Sequence, residues 1–130
     1  MIAANFAREL APGDVVALEG DLGAGKTTFV AAVVLALHGT DQATSPTFTF
    51  RHTYPGSPPL EHLDLYRLDS PAEAVELGVE EAISAGSVTF VEWPDRLPGF
   101  VPPHAIRVRI TGCGDAPREL EIERPEQRHS

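Results

Sequence analysis

Four short stretches of this 130-residue chain carry side chains whose types and spacing suit chemistry on a polyphosphate. The first, Gly20-Asp21-Leu22-Gly23-Ala24-Gly25-Lys26-Thr27-Thr28, fits the pattern G-x-x-x-x-G-K-[ST]. Such a loop wraps phosphates with consecutive backbone N–H groups, through positive-φ conformations that a Cβ would penalise. Asp21, Leu22, Gly23, Ala24, Gly25, Lys26, Thr27 and Thr28 are therefore the candidate nucleotide-binding residues. Lys26 would reach the β/γ-phosphates and the Thr27 hydroxyl would sit on Mg²⁺. Lys26 is the sole lysine of a chain that otherwise uses arginine, so its compact ammonium stands at the one phosphate-facing position.

The other three stretches supply acids and a switch candidate. Val88 to Glu92 is a buried-type strand ending in a carboxylate, the arrangement that lets Glu92 meet Mg²⁺ or an attacking water opposite the loop threonine. In Glu61-His62-Leu63-Asp64-Leu65-Tyr66-Arg67, alternation sets His62 and Asp64 on one face and Leu63 and Leu65 on the other. Asp64 is the candidate for orienting a metal-bound water; an exposed hairpin face is the plainer reading. Thr47, after Ser45-Pro46, is placed to sense a γ-phosphate as a switch threonine, although Ser-Pro-Thr is also ordinary turn chemistry. Trp93, the one tryptophan, follows Glu92 directly and belongs either beside the nucleotide or in the core.

These residues need elements to position them. Val15 to Leu18 reads as a short strand, and Phe29, Val33 and Leu37 recur at helical spacing, so the glycine loop lies between a strand and a helix. That context argues against a chance glycine-rich turn, and the helix would aim its first-turn N–H groups and positive dipole end at the phosphates. Gly39 is the expected left-handed cap. Upstream, Ile2, Phe6 and Leu10 predict a short helix broken by Pro12-Gly13-Asp14. Downstream, Thr47 to Tyr54 and Leu60 to Leu65 predict a hairpin about the Pro55 to Pro59 turn, and Ser70-Pro71-Ala72-Glu73 opens a helix as a capping box. Ala105 to Ile110 and Arg118 to Glu123 predict two last strands. Ile106, Val108, Ile110, Leu120 and Ile122 would face inward, and Arg107 and Arg109 would pair across strands with Glu119 and Glu121. The sum is an α/β fold: a single P-loop NTPase domain over 1–124, its mixed, mostly parallel sheet flanked by helices and carrying antiparallel hairpins, with a frayed polar tail over 125–130.

Composition bounds what such a domain does. Nineteen acidic against ten basic residues give a net charge of −9, which argues against a broad nucleic-acid footprint and tight unaided RNA binding. A lone cysteine, Cys113, rules out an internal disulfide and lacks an activating base nearby. The longest apolar run, Phe29 to Leu37, is half a membrane span, and the chain opens with no signal pattern, so a cytoplasmic protein is expected. A guanine-reading Asn-Lys-x-Asp motif is impossible where the sole lysine lies in the loop, which favours ATP.

Gly20 to Thr28, Ser45-Pro46-Thr47-Phe48, His62-Leu63-Asp64-Leu65-Tyr66-Arg67 and Val91-Glu92-Trp93 occur in an order and spacing that resembles the bacterial tRNA threonylcarbamoyladenosine biosynthesis ATPase, the TsaE (YjeE) family, over about residues 5 to 123. The resemblance implies a weak ATPase that works with two partner proteins of the threonylcarbamoyl transfer complex during t6A modification of adenosine 37, in tRNAs reading codons that begin with A. It further implies contact with tRNA through those partners, phosphate binding by Lys26, Mg²⁺ held by Thr27 and Glu92, assistance from Asp64, and a mobile switch containing Thr47. Members of that family usually carry a few more residues before the first helix. Arg67 is the nearest candidate for an arginine finger. Two other readings stay open: a small-molecule kinase, for whose acceptor pocket and lid 130 residues leave little material, and a nucleotide-binding module without turnover.

Overall fold

The computed structural model describes residues 2–20, 25–39, 51–56, 59–65, 72, 86–94, 102, 104–112 and 119–124. Its first element, α1 (Ile2–Ala7), ends short of Leu10, which packs partly buried against the core. Gly13 at φ 94° and a turn closed by Asp14 break the chain there: the Ala11 N–H donates to Asp14 Oδ2 at 2.9 Å, and the Asp14 N–H donates to the Ala11 carbonyl at 3.0 Å. The chain then enters β1 (Val15–Glu19), and after the glycine loop comes α2 (Lys26–His38). Gly25 at φ 99° and Gly39 at φ 76° bracket α2, and the Gly39 N–H donates back to the Leu35 carbonyl at 2.8 Å, as a left-handed cap should.

Strands β2 (Arg51–Tyr54), β3 (Leu60–Asp64), β4 (Val88–Glu92), β5 (Ile106–Thr111) and β6 (Glu119–Glu123) form with β1, among the described residues, a six-stranded sheet ordered β2-β3-β4-β1-β5-β6. The four inner strands run parallel and both outer ones antiparallel, which is the mixed, mostly parallel sheet expected. The β2–β3 hairpin pairs Tyr54 with Leu60. Its first strand begins at Arg51, residues 47–50 lying outside the described residues. Also outside them are most of the helix expected from Ser70, the arginine at 67, the cysteine at 113 and the tail at 125–130.

The period-2 pattern of β5 works as read: Ile106, Val108 and Ile110 are buried while Arg107 and Arg109 are exposed. On the same face of the sheet, Val16, Leu18, Leu60, Val88 and Phe90 pack against Phe29, Val30, Val33 and Val34, the buried stripe of α2. Phe6 of α1 meets Phe29 with ring centroids 5.7 Å apart at 44°, so α1 lies over the start of α2. On the opposite face Ala17, Leu63 and Val91 are equally buried. Also there, Glu61 accepts from Arg51 Nε at 2.8 Å and Thr53 Oγ1 at 3.2 Å, satisfying an acid that the hairpin buries.

The expected partners of the β5 arginines need correcting. Register sets Arg109 opposite Glu121 and Arg107 opposite Glu123, but both guanidinium groups pair with Glu19, at 2.7 Å from Arg107 and 3.2 Å from Arg109. Strand order explains this: β5 lies between β6 and β1, and Glu19 at the end of β1 reaches both arginines. Among the described residues no helix is long and apolar enough to cross a membrane.

Candidate functional site

The parallel strands all point their carboxyl ends to one edge, where open α/β sheets bind ligands. Register aligns that edge closely: Leu18 stands opposite Glu92, and Asp64 stands opposite Glu92 from the other side. Gly20 follows β1 immediately, and α2 begins at Lys26. Two segments far apart in sequence, the loop–helix junction and the end of β4, are thereby brought into contact.

Thr27 makes that contact. Its hydroxyl donates to Glu92 Oε2 at 3.1 Å. A hydroxyl has one hydrogen, so once that is committed to Glu92 its oxygen offers only lone pairs to anything else. The same Glu92 Oε2 also holds a hydrogen bond with His62 Nε2. Burial alone would raise the Glu92 pKa. The hydrogen bond and charge of His62, the Thr27 hydroxyl and the nearby Lys26 ammonium outweigh it, and the carboxyl sits below its ordinary value.

Lys26 is 5% exposed. Its Nζ donates to the Gly20 carbonyl and lies 3.8 Å from the centroid of the Trp93 ring, so the buried ammonium is met by a carbonyl dipole and an aromatic face. Trp93 adopts φ 59°, the one positive value at a non-glycine position among the described residues, and that turn carries the ring back under Lys26. Trp93 thus belongs at the loop edge rather than in the core.

Of the residues singled out in the sequence, the structure brings together Gly25, Lys26, Thr27, Glu92 and, beside Glu92 on β4's neighbouring strand, the half-buried Asp64. Thr28 is exposed on the first turn of α2. Asp21, Leu22, Gly23, Ala24 and Thr47 lie outside the described residues. His62 is the contributor that spacing did not assign. Alternation placed it on the polar face, yet β3 is an inner strand and buries it to 5% exposure, so the exposed-hairpin reading does not hold.

The oxygens at this junction suit a hard divalent cation, whereas no three His, Cys, Asp or Glu side chains converge as a metal cage among the described residues. That donor set fits Mg²⁺, which is commonly held by one or two protein oxygens together with phosphates and water.

A glycine-rich sequence between β1 and α2, with Thr27 bonded to an acid at the end of the adjacent parallel strand, defines a P-loop nucleotide-binding protein of α/β architecture. The family model for the threonylcarbamoyl adenosine biosynthesis protein TsaE matches residues 1–120, and the chain belongs to that family. It is 36% identical over 115 residues to the tRNA threonylcarbamoyladenosine biosynthesis protein TsaE of Treponema pallidum (strain Nichols), covering 88% of this chain and 85% of that one. Against the protein of the same name from Bacillus subtilis (strain 168) identity is 40% over 120 residues, with 92% and 73% covered. The crystal structure of Bacillus subtilis YdiB superposes with a TM-score of 0.77 at 35% identity, covering 98% of this chain and 78% of YdiB. The chain's role is accordingly in the biosynthesis of threonylcarbamoyladenosine in tRNA.

Proposed function

We propose that this chain is the ATP-binding and slowly hydrolysing subunit of threonylcarbamoyl transfer. It works in the cytoplasm with two partner proteins that carry out the chemistry on adenosine 37 of tRNAs reading codons that begin with A. The Thr27–Glu92 hydrogen bond carries the proposal, because it joins the phosphate loop to the strand-end acid as hydrolysis requires.

In this reading Asp21 to Thr28 supply backbone donors to the phosphates, and Lys26 exchanges the Gly20 carbonyl for β/γ-phosphate oxygens. Thr27 and Glu92 would hold Mg²⁺, which neutralises phosphate charge when bound. Asp64, beside Glu92, orients the attacking water by accepting its hydrogen. The water oxygen bonds to the γ-phosphorus, the bond to the β,γ-bridging oxygen breaks, and ADP and phosphate leave. Thr47 senses the γ-phosphate and couples its loss to the docking of partners. The whole of 1–124 acts as one nucleotide-binding domain.

Without an arginine finger, P-loop proteins turn over at roughly 10⁻⁴ to 10⁻² per second, and a partner can raise this by orders of magnitude. Slow Mg²⁺-dependent hydrolysis by the purified chain, stimulated by the partner pair and tRNA and abolished in Lys26→Ala, is the expected result. Fast turnover alone would point to a small-molecule kinase, and none under any condition to a silent binding module.

A further inference from the structure

The contact between β3 and Glu92 has no role in the scheme above. His62 is buried, its Nε2 is hydrogen-bonded to Glu92 Oε2, and the His52 ring lies 6.0 Å away, centroid to centroid. A buried imidazole on a carboxylate is either a satisfied core group or a device that holds the carboxylate in place. The geometry distinguishes the two, because the oxygen that His62 engages is the one that accepts the Thr27 hydroxyl.

Glu92 is held from two directions, by β3 through His62 and by α2 through Thr27, both on Oε2. Among the described residues no donor is recorded on Oε1. Toward a carboxylate oxygen the ring nitrogen is the donor, so Nε2–H of His62 and the Thr27 hydroxyl both donate to Oε2. With His62 removed, the carboxylate would keep a single donor on a rotatable side chain and would be free to turn away from Thr27.

We propose that His62 is a positioning residue that clamps Glu92 Oε2 beside Thr27, leaving Glu92 Oε1 and the Thr27 lone pairs directed to a divalent cation. The proposal rests on the Mg²⁺-ATPase reading. It makes β3 the element that presets the cation site before nucleotide arrives, and it assigns the donor hydrogen, rather than the ring's bulk, as the reason for a histidine at this position. Groups that orient a metal's own ligands are typically worth about 10- to 100-fold in metal affinity.

Two variants separate bulk from donor. His62→Phe keeps a ring and loses the donor; His62→Gln loses the ring and keeps an N–H donor. ADP affinity would be measured by calorimetry with and without Mg²⁺ for the wild type and both variants, beside kcat and KM for ATP and a thermal melt of each. The expected result is magnesium-free ADP affinity within about twofold of wild type in both variants. His62→Phe should lose about tenfold or more of the magnesium-dependent gain in affinity and fall in kcat more than it changes KM. His62→Gln should recover most of both. If His62→Phe keeps the full magnesium effect, or if His62→Gln is no better than His62→Phe while melting near wild type, the clamp is overturned and the ATPase reading stands. If the wild type itself shows neither a magnesium effect nor hydrolysis, the ATPase reading fails and the clamp with it.

Discussion

Thr27, on the first turn of α2, donates its hydroxyl to Glu92 at the end of β4 across 3.1 Å, although 65 positions separate them in the chain. That bond ties the start of α2 to the neighbouring parallel strand.

Lys26→Ala should weaken ATP binding by about ten- to 150-fold, the worth of a charge-assisted hydrogen bond of about 1.5–3 kcal/mol. Titration of the purified variant measures it. Unchanged affinity would mean that the Gly20 carbonyl and the Trp93 face keep Lys26 from the nucleotide.

Glu92→Gln removes charge at nearly constant volume. Hydrolysis should drop on the order of 10²-fold or more, the scale of losing an electrostatic group at a transition state, with nucleotide still bound. Stability gives a second readout. Because the folded protein depresses the Glu92 pKa, Glu92 contributes stability in full above the ordinary carboxylate range and loses it as pH falls through the lower folded value. Melting temperatures followed between about pH 7 and pH 3 should fall more steeply in wild type than in Glu92→Gln; parallel profiles would remove Glu92 from the acid response.

At Trp93 two effects oppose each other. Its φ of 59° strains a bulky residue by about 1–2 kcal/mol, and its ring meets the Lys26 ammonium. Trp93→Ala loses the ring and keeps the strain, whereas Trp93→Gly loses both. Urea unfolding should find the glycine variant the more stable of the two by about 1 kcal/mol, opposite to the usual ranking.

Glu19→Gln leaves Arg107 and Arg109 without their shared carboxylate. Both arginines are about half exposed, so the loss should stay within about 1 kcal/mol and shrink as salt rises. A larger, salt-independent loss in chemical denaturation would show that Glu19 is needed to hold the strand before the loop.

The β1–loop–α2 unit and the acid ending β4 were legible because each is local: a run of apolar residues, glycines at a turn, a helical stripe, a carboxylate after four buried positions. What could not be read depends on which strands are neighbours. His62 meets Glu92 because β3 pairs in parallel with β4, a relation between residues 30 apart that alternation within β3 does not contain. Arg107 and Arg109 turn to Glu19 for the same reason, since nothing inside β5 or β6 states that β1 lies on the other side. The Trp93 position follows from a backbone turn at φ 59°, a conformation no residue pattern for tryptophan announces.

Among the described residues strand β6 ends the sheet opposite the hairpin, and it presents Glu119, Glu121 and Glu123 at alternate positions. Open strand edges recruit other strands, and molecules of one kind crowded together in a cell can polymerise through them. Two copies of β6 laid side by side would bring carboxylate against carboxylate along their length. Such an acidic fringe would make this margin of the sheet a poor template for its own kind.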